Sequence, residues 1–183
     1  MKKGLFILVM LFAFKQCATA QKYFTKNGSI SIFSKAPLED ISADNNQVMS
    51  VLNTTNGELQ FSVLVKSFHF KKALMEEHFN SDYLESDQFP KSSFKGAIND
   101  IARVSFANDG TYNVTVSGDL TMHGITKKIS APGKVIIKEG KITGNASFKI
   151  LLADYNISIP KLAKDNISPT IAITVFCNYD QKL

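Results

Sequence analysis

The sequence has 183 residues, of which 44% are apolar and 20% charged, and its formal net charge is +5. These values are typical of a globular protein, and the length suffices for one domain with a substantial core. Two cysteines are too few for a disulfide scaffold, a four-cysteine zinc site or a cysteine-ligated iron–sulfur cluster.

Residues 1–20 have the pattern of a cleaved export signal. Two lysines precede an apolar run at 5–14, and the small residues Ala18 and Ala20 mark a cleavage site. The apolar run is too short for a transmembrane helix, which needs about twenty apolar residues. The pattern therefore predicts a signal peptide and a periplasmic or secreted mature protein.

Two other interpretations of this segment stay open. Cys17 could be acylated in a lipoprotein, although Lys15 is unfavourable for that processing, and the apolar run could persist as an uncleaved anchor. Cleavage before Gln21 removes three lysines and no acidic residue, so a mature chain of residues 21–183 carries a net charge of +2. Such a nearly neutral chain gives no reason to expect nucleic-acid binding. It also has no further apolar stretch long enough to span a membrane.

Alternation of apolar and polar residues dominates the mature chain and predicts β-strands. Turn signals separate the alternating segments, among them Asn56-Gly57, Asp109-Gly110, Glu139-Gly140 and a Pro-Gly pair within 131–133. About eight strands joined by hairpins predict one all-β domain, either an antiparallel barrel or a sandwich. The predicted strands cover residues 29–33, 48–53, 59–65, 93–98, 111–122, 134–138, 142–152 and 171–177.

One helix is expected to interrupt the strands, at about 71–80. Leu74, Met75, His78 and Phe79 have the spacing of one helical face. We expect Leu74, Met75 and Phe79 to lie on the core and to cover one end of it. A second short helix is possible near residues 161–166.

Small residues occupy several inward positions of the predicted strands, namely Gly96, Gly118, Gly144 and Ala146. Glycines of this kind often mark bends or close contacts between strands. Alternatively, the missing side chains leave an apolar space inside. An eight-stranded barrel is just wide enough to be filled by its own side chains or to hold one small ligand.

Chemistry-bearing residues are sparse, and no catalytic or metal-binding motif is present. His69 and His78 are expected to have structural roles. His123 lies in a predicted turn, where its imidazole either bonds loop backbone or contacts a ligand. Cys177 is expected to be a buried thiol. The sequence therefore predicts neither an enzyme nor a metal site, and a reaction centre around His123 is the least favoured hypothesis.

Two segments together resemble the YceI-like family of bacterial secreted or periplasmic proteins. The first is the stretch 75–90, which ends in Phe89-Pro90, and the second is 118–127, which contains His123, Gly124 and Thr126. The resemblance implies a lipocalin-like antiparallel eight-stranded barrel with a polyisoprenoid in an elongated apolar cavity. It places His123, Gly124 and Thr126 in the family's turn motif. The first strand departs from the family, because residues 27–33 contain neither Trp nor His.

The leading hypothesis is an exported barrel that sequesters or carries a long-chain lipid, an isoprenoid or a quinone, without a cofactor or metal. It leaves open whether the protein is a monomer or a homodimer. The main alternative is a structural or interaction protein whose barrel is filled and which acts through its surface. The residues expected to line the cavity are Phe61, Val63, Val65, Phe94, Val114, Val116, Phe148, Ile150, Ile173 and Val175.

Overall fold

The computed structural model describes residues 21–183. The predicted signal peptide at 1–20 lies outside the described residues. The strands are β1 (Lys22–Lys35), β2 (Asp40–Asn53), β3 (Glu58–Leu64), β4 (His69–Phe70), β5 (Lys91–Ile98), β6 (Gly110–Met122), β7 (Ile125–Lys138), β8 (Lys141–Leu151), β9 (Thr170–Tyr179) and β10 (Gln181–Lys182). The helix α1 spans Ala73–His78 and continues as a π-helical turn at Phe79–Tyr83. Short 3₁₀ helices lie at Val65–Ser67, Ile101–Arg103, Leu152–Tyr155 and Lys161–Ala163.

The eight long strands form a closed antiparallel barrel, which confirms the predicted fold class. Their order around the barrel is β1, β9, β8, β7, β6, β5, β3 and β2. The first strand closes the sheet because it pairs with both β9 and β2. This closure excludes the sandwich, whose two sheets would leave the first and last strands unpaired. The two-residue strands β4 and β10 extend the sheet beside β2 and β1.

Alternation along the strands decides which side chains face the interior, since successive residues of a strand point to opposite faces. In β6, Val114 and Val116 are half-buried, whereas Asn113 and Thr115, which precede each of them, are exposed. Long strands of this kind give the barrel its depth. The polar outer face makes it compatible with water.

The two ends of the barrel are built differently. At the closed end, the connection 99–109 carries Ile101, Val104 and Phe106, which pack against buried Leu52 and other side chains of the strands. At the open end lie the longer connections between strands, which contain α1 and the segment 152–169. These connections are where the interior meets the surroundings.

Two of the predicted turns differ from the structure. Asp109-Gly110 is not a tight corner, because it ends the longer connection 99–109 and Gly110 already belongs to β6. The Pro-Gly pair at Pro132 lies inside β7. Strand β7 begins to pair with β8 only at Gly133, so the proline, which has no N–H to donate, directly precedes the start of that pairing.

The remaining local predictions agree with the structure in outline. The Glu139-Gly140 corner has positive φ at both residues, 50° and 73°, which is the geometry of a type I′ hairpin. The helix expected at about 71–80 is α1 with its π-helical turn. The second helix is a short 3₁₀ turn at Lys161–Ala163. Within residues 21–183, no helix has the length and apolar character needed to cross a bilayer.

Candidate ligand-binding cavity

The barrel encloses a cavity of about 790 Å³ that opens at one end. This volume lies within the range of about 300–1,000 Å³ that is usual for ligand sites. The walls are formed by inward side chains of all eight long strands, and nearly all of these side chains are aliphatic or aromatic. Apolar walls offer water few hydrogen-bond partners, so such a space suits an apolar, elongated molecule.

All ten residues that the sequence predicted as cavity-lining lie on the cavity wall. They come from β3, β5, β6, β8, β9 and the 3₁₀ helix after β3. Phe61 and Phe94 stand opposite each other on β3 and β5, with ring centroids 6.2 Å apart in an edge-to-face arrangement. Whether these residues contact a ligand stays a prediction. The ten are Phe61, Val63, Val65, Phe94, Val114, Val116, Phe148, Ile150, Ile173 and Val175.

The sequence prediction missed three walls of the cavity, those of β1, β2 and β7. The signal was present in β1, where Ile30 and Ile32 alternate with serines, and in β7, where Ile129 and Ala131 alternate with polar residues. In β7 the alternation was overlooked, because the Pro-Gly pair was interpreted as a turn between two strands. The additional lining residues include Ile30, Ile32, Ile41, Leu52, Ile129, Ala131 and Val135.

The helical segment 73–83 partly covers the open end. Met75 and Phe79 line the cavity, as predicted, and the Phe79 ring packs against Phe68 and Phe70 at centroid distances of 5.5 and 4.9 Å. Leu74 was predicted wrongly. Its side chain is 62% exposed and does not line the cavity, because one residue along a helix is a rotation of about 100° away from Met75.

The small inward residues have two different roles. Some of them permit close contact between strands, and others border the apolar space inside the barrel. Gly96 and Gly118 face each other on β5 and β6, and a Cβ on either would meet the Phe94 ring at 2.5 or 2.7 Å. These glycines permit close strand contact beneath an aromatic ring. Gly144 and Ala146 instead border the cavity, and the nearest atom to a Cβ on Gly144 is 3.5 Å away.

A small polar cluster lies deep in the cavity, towards the closed end. The hydroxyl groups of Ser50 and Tyr179 are 2.8 Å apart, and both residues are buried. Burial raises the pKa of the Tyr179 hydroxyl far above its ordinary value, so the phenol stays neutral. Cys177 is also buried there, and burial raises the pKa of its thiol to about 12. The thiol is therefore protonated and inert, as expected.

The histidine of the turn motif joins three connections at the open end. His123 and Gly124 form the tight β6–β7 turn with φ values of 50° and 73°. The Nδ1 atom of His123 lies 2.9 Å from the Tyr155 carbonyl oxygen, and Nε2 lies 3.2 Å from a Glu85 carboxylate oxygen. The Phe89 ring contacts the imidazole edge to face at 4.8 Å. Bonding of loop backbone was one of the two predicted roles.

Other members of the motifs complete this arrangement. The hydroxyl groups of Thr126 and Thr121 lie 2.8 Å apart on paired strands. A Cβ on Gly124 would lie 2.7 Å from the Phe89 ring, so the two sequence segments that carry the resemblance are in direct contact. None of His123, Gly124 and Thr126 lines the cavity. Their position is that of a structural junction beside it.

The other two histidines are far more exposed and lie against carboxylates. His78 is 2.7 Å from Asp82, and this contact, with a hydrogen bond from Ser81, lowers the Asp82 pKa, the serine having the larger effect. His69 lies 3.7 Å from Glu76. In the part of the chain that the structure describes, no three His, Cys, Asp or Glu side chains are arranged to hold a metal ion.

Comparison with known proteins decides the family. A model of the YceI-like domain matches residues 12–178. The chain belongs to the YceI-like family. A search of curated proteins finds no match.

Solved structures share the fold of this YceI-like chain. A polyisoprenoid binding domain from Saccharophagus degradans, implicated in plant cell wall breakdown, aligns with a TM-score of 0.72 at 17% identity over 86% of this chain and 95% of that one. Burkholderia cenocepacia BcnA aligns with a TM-score of 0.66 at 18% identity, covering 81% and 94%. A YCEI protein of Campylobacter jejuni aligns with a TM-score of 0.56 at 16% identity, covering 76% and 85%.

Proposed function

We propose that this YceI-like chain is an exported, non-enzymatic lipid-binding protein that sequesters or carries one long-chain isoprenoid, quinone or similar amphiphile in the barrel. The observation that carries the proposal is the apolar cavity of about 790 Å³ inside the closed barrel. A filled barrel, which was the main alternative, requires a small interior, and a space of this size does not fit it.

The energetics of such a site favour long apolar chains. Each buried CH₂ group contributes about 0.8 kcal/mol, so a ligand with many methylenes needs few polar contacts. The walls offer branched aliphatic and aromatic side chains along the full depth, from Met75 at the open end to Tyr179 near the closed end. The polyisoprenoid binding domain of Saccharophagus degradans has the same fold, which supports an isoprenoid as the ligand of this chain.

The first experiment is extraction of the protein purified from its own host, followed by mass spectrometry of the organic phase. We expect a long-chain lipid in stoichiometric amount. A clean blank from the wild-type protein would contradict the proposal.

A matched pair of variants tests whether the lipid lies in the cavity. Ala146 borders the cavity, whereas the next residue of β8, Ser147, is exposed on the outer face. Ala146→Leu should fold normally because the cavity has room, yet release several-fold less lipid. Ser147→Leu adds the same side chain outside and should release as much lipid as the wild type. Equal lipid content in both variants would place the lipid outside the barrel.

Export is tested separately from binding. The intact mass of the protein recovered from the periplasm or medium should correspond to a chain that begins at Gln21. A mass that includes residues 1–20, or one that shows lipid on Cys17, would contradict simple secretion. Recovery of the protein only from the cytoplasm would do the same.

A further inference from the structure

Three connections surround the open end of the barrel, and each carries one strongly exposed leucine. The exposed fractions are 75% for Leu38, 62% for Leu74 and 99% for Leu162. Leu38 lies between β1 and β2, Leu74 is in α1, and Leu162 is in the 3₁₀ helix before β9. We call these three residues the leucine collar.

Direct contacts hold the three connections together. The backbone N–H of Leu38 donates to the carbonyl oxygen of Asp165 at 3.0 Å, which joins the first connection to the third. The Lys72 ammonium lies 2.5 Å from a Glu39 carboxylate oxygen, which joins the first connection to the start of α1. Glu39 and Leu162 also line the mouth of the cavity. The leucine collar therefore belongs to one surface around the mouth.

The exposure of these leucines is unusual for this molecule. Among residues 21–183, four large apolar side chains are more than 60% exposed, and the fourth is Leu183 at the carboxyl terminus. The other exposed large apolar residues, such as Met49 and Phe176 on the barrel wall, are 51% and 43% exposed. Single exposed apolar residues need no explanation, but a group around a binding-site mouth marks an interaction surface.

The charges around the leucine collar are of both signs. Apart from Lys72 and Glu39, which pair with each other, none of them takes part in an ion pair among the described residues, so the others are available to an external partner. Lysines complement phosphate groups, and carboxylates complement ammonium groups. A headgroup that carries both charges therefore matches this surface better than a purely anionic one. These other charged residues are Lys35, Lys71, Lys161 and Lys164 with Asp40, Glu77 and Asp165.

We propose that the open end of the barrel docks on a lipid bilayer with zwitterionic headgroups. The leucine collar reaches the boundary between headgroups and acyl chains, as the apolar face of an interfacial protein does. The flanking lysines and carboxylates contact phosphate and ammonium groups. Docking brings the cavity mouth against the bilayer, so a lipid can pass between the two without crossing water. This last step rests on the proposed function, whereas docking does not.

The test is flotation of the purified protein with vesicles of phosphatidylethanolamine and phosphatidylcholine that contain no isoprenoid. The variant Leu38→Ser/Leu74→Ser/Leu162→Ser removes the leucine collar. The control Met49→Ser/Phe176→Ser/Leu183→Ser removes three exposed apolar side chains elsewhere. We expect wild type and control to float with the vesicles and the collar variant to bind at least about tenfold more weakly. Circular dichroism confirms that all three are folded.

Several results would overturn the proposal. Absence of wild-type binding to the vesicles, or an equal loss in both variants, would show that the leucine collar does not dock on a bilayer. A wild-type dimer that dissociates in the collar variant, without vesicle binding, would assign the collar to a second copy of the chain. Extraction of lipid from the same preparations separates the two proposals, because a protein that docks but carries no lipid would contradict only the proposed function.

Discussion

The Nδ1 atom of His123 lies 2.9 Å from the carbonyl oxygen of Tyr155. This contact ties the β6–β7 turn to the 3₁₀ helix at Leu152–Tyr155, although 32 residues separate the two in sequence. The other ring nitrogen, Nε2, lies 3.2 Å from a Glu85 carboxylate oxygen, so the imidazole contacts two neighbouring connections at once.

Removal of this side chain should destabilise the open end. We expect His123→Ala to lower the free energy of unfolding by about 1–3 kcal/mol, because the Tyr155 carbonyl loses its side-chain partner in a largely buried place. Asparagine tolerates positive φ better than alanine. A similar loss of stability in His123→Asn would therefore assign the effect to the imidazole contacts rather than to backbone strain. Urea denaturation measures both. His69→Ala, at an exposed histidine, is the control and should change stability by less than about 0.5 kcal/mol.

The two classes of inward glycine predict opposite responses to the same substitution. Gly96→Ala places a Cβ 2.3 Å from the Ser117 carbonyl oxygen, which the paired strands cannot accommodate without moving. We expect a loss of about 1–3 kcal/mol or more. Gly144→Ala meets its nearest atom at 3.5 Å and should be neutral within about 1 kcal/mol. Thermal unfolding measures the stability of the two variants. An equal loss of stability in both would contradict the assignment of Gly144 to the cavity.

The thiol of Cys177 should resist alkylation. Burial raises its pKa from 9.0 to about 12, so the thiolate that reacts is scarce at pH 8 and shielded as well. We expect iodoacetamide to modify Cys177 at least about a hundredfold more slowly in the folded protein than in urea. Peptide mapping follows this residue specifically. Rapid labelling of the folded protein would show that the deep end of the cavity opens.

The same thiol makes stability depend on pH. Because the fold raises its pKa, the neutral form is favoured in the folded protein, and this stabilisation is complete below pH 9. As the pH rises from 9 towards 12, Cys177 ionises only in the unfolded chain, and each pH unit costs about 1.4 kcal/mol. The free energy of unfolding, measured in urea at pH 8 and at pH 10.5, should therefore fall less between the two pH values for Cys177→Ala than for the wild type. An identical decline would contradict the assignment.

The Ser50–Tyr179 hydrogen bond is suited to a double-mutant cycle. Tyr179→Phe leaves the Ser50 hydroxyl buried without this partner, and we expect a loss of about 1–3 kcal/mol. In Ser50→Ala/Tyr179→Phe no unpaired hydroxyl remains. The double variant should therefore be less destabilised than the sum of the two single variants, by about 1 kcal/mol. Additive losses would show that the two hydroxyl groups do not stabilise each other.

Periodicity predicted the barrel because inward and outward positions alternate strictly along most of its strands. The pattern was clearest in β6 and β8, where polar residues separate Val114 from Val116 and Ala146 from Phe148. It was weaker where local chemistry imitates a turn. Pro132 divided β7 in the prediction, whereas in the structure it lies directly before the point where pairing with β8 begins.

Contacts between distant residues could not be derived from spacing. Gly96 and Gly144 both have inward positions in a strand, yet only the structure shows that the Phe94 ring covers one and that the other faces open space. Leu74 and Met75 both suit a helical face. The two positions differ by a rotation of about 100°, and tertiary packing of α1 against the barrel decides which of them faces the cavity.

The closed end at Ile101, Val104 and Phe106 gives the barrel a fixed depth. If the barrel holds a chain-like lipid, as proposed, the ligand enters lengthwise through the end that α1 partly covers. Under the proposed function, each methylene group adds binding free energy until the chain reaches the closed end, and any further length of the ligand stays at the mouth. A preference for chain length would arise in this way without any polar recognition of the ligand.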